Sequence, residues 1–441
     1  MSRLTAAARP SRISSWRCLL QRATYYLAFG SAVSILFSIA ISQILLALAL
    51  AMLLLSGQKL EFPPIRLPLA FFFLVTLAAV VASGDPQRGT PQLRKFFIFT
   101  ILLVIPSVFR TIHQVRNLII AWTAAAAGSA MVGVTQFLYR RHEALLQNAD
   151  YYGFYVDGRI TGFAGHWMTF GGEEMIVLLM LFSLLLFSDQ PSWKRYLWPA
   201  AVLLWVAIAL GMTRCVFLLG LPLGIAYLAW RRKPLLLVTF FAGGAIGIAL
   251  GPAAVRERIV SVVKPHSDID SNAHRAICRA VGWEMVKAHP WLGLGPEQVG
   301  PQFNRYIPAN VTRPLPSGWY GHLHNIYLQY AAERGLLGLL GFLWLIGTVV
   351  IDFLKTLSNP ALSKQGRFVL HGAVAVVIGA MAEGIFEYNL GDSEVLTIFL
   401  SVLACGYVVM RETNDAETVR IEHEKAAEQW RAICSGPVRL P

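Results

Sequence analysis

Continuous apolar runs, broken by short polar stretches that hold most of the charge, dominate the pattern of this chain. They are rich in Leu, Ala and Phe and lack the alternation of a barrel strand, so they predict helices. Crossing hydrocarbon takes about 20 apolar residues per helix. Runs at 24–40, 42–56, 66–84, 95–110, 117–138, 169–188, 196–213, 215–230, 235–253, 333–354, 368–388 and 394–410 give about twelve helices. The Ser38-Ile39-Ala40-Ile41-Ser42-Gln43 interior divides the first run from the second. A long polar segment, 254–332, separates the ninth from the tenth.

The fold class expected from this pattern is an all-α polytopic membrane protein. Composition agrees, because 56% of the residues are hydrophobic and 14% charged, too little polar surface for a soluble globule. Cytoplasmic short loops should be rich in Lys and Arg. The N-terminus holds Arg3, Arg9, Arg12, Arg17 and Arg22 without an acid, and the apolar stretch after it is too long for a cleaved leader. With that end inside, the inner loops carry Lys59 and Arg66, Arg110 and Arg116, Lys194 and Arg195, Arg231 to Lys233, and Lys355, Lys364 and Arg367. The expected organisation is a cytoplasmic segment 1–23, transmembrane helices one to nine in 24–253, a large periplasmic loop 254–332 with short helices, helices ten to twelve in 333–410, and a cytoplasmic tail 411–441. The net charge of +13 then points to anionic headgroups and phosphate-bearing lipids rather than nucleic acid.

Cys18, Cys215, Cys278, Cys405 and Cys434 form no CxxC pair or regular framework. A single bridge between Cys215 and Cys278, both on the outer side, stays open. Asp268-Ile269-Asp270 has the pattern of a metal-binding acid pair, but a polar loop places two carboxylates together without one; no metal and no cofactor are expected. Glu383 and Glu387 lie one turn apart near the outer end of the eleventh run, where ionisable groups usually pair inside a bundle. They are read as orienting the arginines or solvating a helix end. The tail, with Glu417–Trp430 at helical spacing, reads as a solvated or surface-lying helix.

Three outer stretches carry candidate chemistry. Thr213-Arg214 sits between two apolar runs, and a guanidinium there either snorkels or faces a cavity, where its planar fork suits phosphate oxygens. Arg275 and Arg279 share one face of a short amphipathic helix that Pro290 stops. Gly321-His322-Leu323-His324-Asn325 then runs into the tenth helix. Histidine exchanges a proton near neutral pH, and transfer from a lipid diphosphate needs a base for the hydroxyl and cations for the leaving group.

The spacing His324-Asn325, nine residues, then Gly335-x-x-Gly338, preceded by Glu333-Arg334, resembles the O-antigen ligase and polymerase superfamily. Arg159 to His166 (RITGFAGH), Thr213-Arg214 and the turn Pro290-x-x-Gly293-x-Gly295 are similar to further segments of that superfamily. The resemblance implies a GT-C-like inner-membrane glycosyltransferase: inverting, metal-independent, active on the periplasmic face, and using an undecaprenyl-diphosphate glycan as donor. It implies Arg214 and Arg275, with Arg279 as supplement or substitute, on the diphosphate, and His324 as the base. His322 competes for that role, although the nine-residue register favours His324; Asn325, Glu333 and Glu387 would support it. Ligation to lipid A-core is the first reading. A polymerase of lipid-linked repeat units is the alternative, and a secondary transporter of organic anions is the reading from another class.

Overall fold

The computed structural model describes residues 12–188, 194–266, 270 and 272–434, so Arg3 and Arg9 and Asp268 of the acid pair lie outside the described residues. Among the described residues there is no strand. The chain forms α1 (Arg12–Ser34), α2 (Ile39–Leu55), α3 (Arg66–Ala82), α4 (Pro86–Arg94), a 3-10 turn Lys95–Thr100, α5 (Ile101–Val108), α6 (Ile112–Leu146) and α7 (Tyr151–Asp157). There follow α8 (Trp167–Phe187), α9 (Trp198–Leu210), a π-turn Val216–Gly220, α10 (Leu221–Arg232), α11 (Leu235–Leu250), α12 (Ala253–Val260), α13 (Asn272–Ala288), α14 (Val299–Gln302), α15 (Ile326–Leu357), α16 (Lys364–Glu383) and α17 (Ser393–Cys434).

Each apolar run of the sequence is helical. Among the described residues, six spans are long and apolar enough to cross a membrane: Pro86–Val108, α6, α8, α15, α16 and the first 35 residues of α17. A seventh arises if α11 and α12, bent by 115° at Gly251-Pro252, count as one. The chain is a multi-pass membrane protein. Helices α2, α3 and α9 are apolar but shorter, and a count of twelve needs these three and also α1 and α10 as spans. The span Pro86–Val108 is built in three pieces, α4, the 3-10 turn and α5, and carries Pro91 inside α4 and Pro106 inside α5, each of which removes a backbone donor.

At the centre α8, α16 and the first half of α17, to about residue 410, are buried on nearly all sides. Small residues let them approach: a Cβ on Gly372 would meet Met180 Sδ at 2.7 Å and Ser183 Cβ at 3.1 Å, and Ser183 Oγ donates to Phe368 O at 2.6 Å. No bridge joins Cys215 and Cys278, which are free, buried thiols.

One irregularity positions the outer end of the bundle. Helix α15 starts at Asn325, whose side chain accepts from Leu328 N at 2.8 Å, a standard cap. After nine intervening residues Gly335 adopts φ 68° and ψ −177°, a region almost reserved for glycine. The hydrogen bonds that α15 loses there are made by the Pro290–Gly295 turn. Leu294 N and Gly295 N donate to Ala332 O and Glu333 O, and Leu336 N donates to Pro290 O, at 2.7 to 2.9 Å. A backbone break at membrane depth survives only when protein satisfies it, and this turn does so. Beside it Arg334 and Glu333 pair at 2.7 Å, and Gln92 accepts from the same guanidinium at 3.1 Å.

A Cβ on residue 335 would lie 2.0 Å from Trp291 O. Gly335→Ala should therefore cost at least about 2 kcal/mol, from backbone strain and from displacement of the turn. The check is the thermal midpoint in detergent, and an unchanged midpoint would refute this account of the break.

Candidate active site

The first turns of α8, α13 and α15 and the segment after α16, with the 3-10 turn and the 159–167 and 317–324 loops, enclose a cavity of about 920 Å³. Its wall includes Arg159, Trp167, His274, Arg275, His322, His324 and Glu387. The size suits a small ligand or a headgroup with its first sugars.

Glu387, just past the end of α16, is the hub. Its carboxylate meets His324 Nδ1 at 3.1 and 3.2 Å, accepts from Arg275 Nη2 at 3.0 Å and from Tyr388 N at 3.1 Å, and lies 3.8 Å from His322 Nε2. Burial alone would push this carboxyl up. The hydrogen bond from His324, with the charges of His324, Arg275 and His322, outweighs burial and holds it down at about 2. A carboxylate only accepts, so it fixes the proton of His324 on Nδ1. Nε2 then carries the lone pair, and it is buried without a hydrogen-bond partner.

His324 sits at φ 49°, a left-handed conformation in which His is among the commoner non-glycine residues. Its N–H donates to His322 Nδ1 at 3.2 Å, so His322 holds the backbone of that turn. Accepting requires a neutral ring. Burial, then the neighbouring His324, lower the His322 pKa to about 4. The loop is anchored to the end of α16, where Ile326 N donates to Gly384 O at 2.8 Å and Asn325 Nδ2 to Ile385 O at 2.7 Å.

The structure distributes the arginines singled out from sequence. Arg275 faces the cavity, with one edge on Glu387 and a buried Nε that has no partner. Arg214 is buried behind the wall and does not line it; it donates to Ser261 O and Oγ at 3.2 and 3.1 Å and to Asn272 Oδ1 at 2.7 Å. It thereby ties the end of α12 to the start of α13. Arg279, one turn past Arg275, is exposed and not in the wall. Glu333 lines the cavity but is committed to Arg334, Gln329 and Glu297 N. Asp270 is held by Arg258 at 2.5 Å, Tyr152 at 2.9 Å and His266 N at 2.8 Å, so it anchors α12.

Sequence reasoning missed three lining cations as separate residues. Arg159 has no carboxylate partner among the described residues; it donates to Val156 O and Met212 O and lies 4.3 Å over the Trp167 ring. Burial, then the charges of Arg258 and Arg275, lower its pKa to about 9, so it stays charged at neutral pH. Trp167 Nε1 is also buried without a partner. Lys95 reaches the cavity from the 3-10 turn and donates to Gly391 O at 2.5 Å. Arg258 lines it from α12. The signal for Arg159 was present in the 159–166 segment, whereas Lys95 and Arg258 have no local motif.

An imidazole with one nitrogen ordered by a carboxylate and the other unpartnered can take a proton. Arginine N–H groups beside it can stabilise an anion. Residues 199–343 match the family model described as O-Antigen ligase. No curated protein sequence matches the chain. The match covers Arg214, Arg275, His324 and Gly335, and shows an O-antigen ligase or polymerase type of domain. At the level of the family, the match supports a glycosyltransferase-like enzyme.

His274 resembles His322 electrostatically, because burial, then the charge of His324, bring its pKa to about 4. The unfolded chain protonates both rings near 6.5, so between about 6.5 and 4 it holds protons that the folded chain lacks. Stability therefore rises with pH across that window and is lost as pH falls through it. Glu387 adds to the loss only below about 4.5. Thermal midpoints across this range should show the fall, and His322→Gln should flatten it; an unaltered slope would count against the neutral-acceptor role.

Proposed function

We propose that the chain transfers a glycan from an undecaprenyl-diphosphate carrier to an acceptor hydroxyl, with inversion and without a metal, on the periplasmic face of the bacterial inner membrane. The observation that carries this reading is the unpartnered Nε2 of His324, a residue ordered through Nδ1 by Glu387 and lining a cavity that also holds Arg275 and Arg159. The acceptor O–H gives its proton to Nε2 while its oxygen attacks the anomeric carbon. The bond from that carbon to the diphosphate breaks, and the electron pair leaves with the phosphate. Arg275 Nε–H, Trp167 Nε1–H and the Arg159 guanidinium are the donors for the charge that develops there.

In this reading Arg214 acts through position, holding the α12 to α13 connection, and adds positive potential from behind Arg275. Arg279 contacts lipid headgroup or acceptor at the rim rather than the diphosphate. His322 and Asn325 set the turn, and Glu333 secures the helix break. The proposed topology counts twelve spans with both ends cytoplasmic and residues 254–332 outside. Ligation to lipid A-core remains the first choice of acceptor, ahead of polymerisation of lipid-linked repeats. The cavity opens on a mixed set of acids and cations with no residue that selects between them.

The test is transfer by purified protein in chelator, from undecaprenyl-diphosphate glycan to lipid A-core or to a second lipid-linked glycan. Turnover should persist in chelator. His324→Ala should lower kcat by roughly 10²–10⁴, and Glu387→Gln by about 10² through loss of the orienting anion. Retention of the wild-type rate by a folded His324→Ala protein would sink the assignment of the base. Arg159→Ala should raise the donor KM more than it lowers kcat; an unchanged KM would remove Arg159 from the donor site.

A further inference from the structure

Two residues of the cavity wall, His274 and His324, converge with the buried Cys278 behind it. His274 and Cys278 stand four apart on α13, which puts them on one face, with Nε2 and Sγ 3.7 Å apart. A tetrahedral zinc ion with bonds of ~2.3 Å to sulfur and ~2.05 Å to nitrogen separates those two atoms by about 3.6 Å. The third ligand is His324, and one ligand atom from each of the three residues lies within 4.8 Å of the others. Both α13 residues are buried, His274 at 4% and Cys278 at 0% exposure. The His324 side chain is 10% exposed, and its Nε2 is the nitrogen without a partner.

We infer that His274, Cys278 and His324 form an inhibitory site for a thiophilic divalent cation of the zinc class, entered from the cavity. Two protein nitrogens and a thiolate leave a fourth position for water, the arrangement of an open zinc site. Binding releases the thiol proton to solvent. The ring proton of His274 shifts to Nδ1, and the hydrogen bond from Nε2 to Trp319 O, 3.0 Å in the unligated protein, is given up. The metal takes the lone pair that a substrate proton would use.

A second trio, His322, His324 and Glu387, shares His324. Its carboxylate is already filled by His324, Arg275 and Tyr388 N, so a metal there must dismantle the hub. Sulfur also selects the softer ion at the first trio. Occupancy and inhibition are separable: the binding site stands on the geometry of α13, and only the inhibition rests on the proposed transfer reaction.

The deciding experiment titrates purified wild-type protein in detergent with Co²⁺ alone and then displaces it with Zn²⁺. One equivalent should give a thiolate-to-cobalt charge-transfer absorption that Zn²⁺ abolishes. Cys278→Ser should keep its helical circular dichroism and lose that absorption, and His274→Gln should weaken Co²⁺ binding at least 10-fold. In the transfer assay, Zn²⁺ should inhibit wild type reversibly, and Cys278→Ser should need at least 10-fold more Zn²⁺ for the same inhibition. No thiolate absorption in wild type, or equal absorption in Cys278→Ser, overturns the site. Cobalt binding without a thiolate band assigns the metal to the carboxylate trio and also overturns it. If no transfer is seen at all while the band behaves as expected, the metal site stands and the proposed reaction fails.

Discussion

A single buried carboxylate organises the outer end of this protein. Glu387 is a net acceptor in a place where an anion alone would be expensive, and its neighbours are what keep it ionised. Because it accepts from His324 and Arg275 at once, it joins the end of α16 to α13 and to the loop ahead of α15. The same contacts set a tautomer, orient a guanidinium and close the cavity wall. Structure and chemistry are therefore the same set of hydrogen bonds here, and one side chain serves both.

The second organising device is the break at Gly335. A continuous helix would have left the Pro290–Gly295 turn without partners and the loop unanchored. By giving up its own hydrogen bonds, α15 offers two carbonyls and one amide to the turn that follows α13. The helix that carries Arg275 and the helix that follows His324 are thus tied at their far ends by the turn and at their near ends by Glu387. A closed ring of contacts of this kind holds functional groups more firmly than loops hanging from the bundle would.

Much of the helical plan was legible, since apolar runs announce helices and Pro290 marks a limit. Helix α13 and its end before Pro290 were readable from one amphipathic pattern. The number of spans was less so, because α2, α3 and α9 are apolar but short, and hydropathy alone does not say whether a short helix crosses. In the site, His324 and Arg275 carried a local signal. Glu387 was read as a partner for the arginines and a support for the base, but its direct pairing with His324 was not legible: the two lie 63 residues apart in sequence, and only the fold brings them together. Arg214 illustrates the opposite case. An arginine at a membrane turn looks like a ligand, yet its fork is filled by Ser261 and Asn272, partners too distant in sequence to be paired with it by inspection. Arg258 and Lys95 reach the cavity from elements with no motif of their own.

The nine residues between Asn325 and Gly335 are a ruler and a phase setting together. At 1.5 Å per residue they raise the histidine turn about 13 Å above the helix break, and at 3.6 residues per turn each residue adds about 100° of rotation. Removing one would lower the imidazole by little more than the width of an atom, but would swing it about a quarter of the way around the helix axis, away from Glu387. The length of this segment is consequently as constrained as the side chains within it that hold fixed partners, Gln329, Glu333 and Arg334.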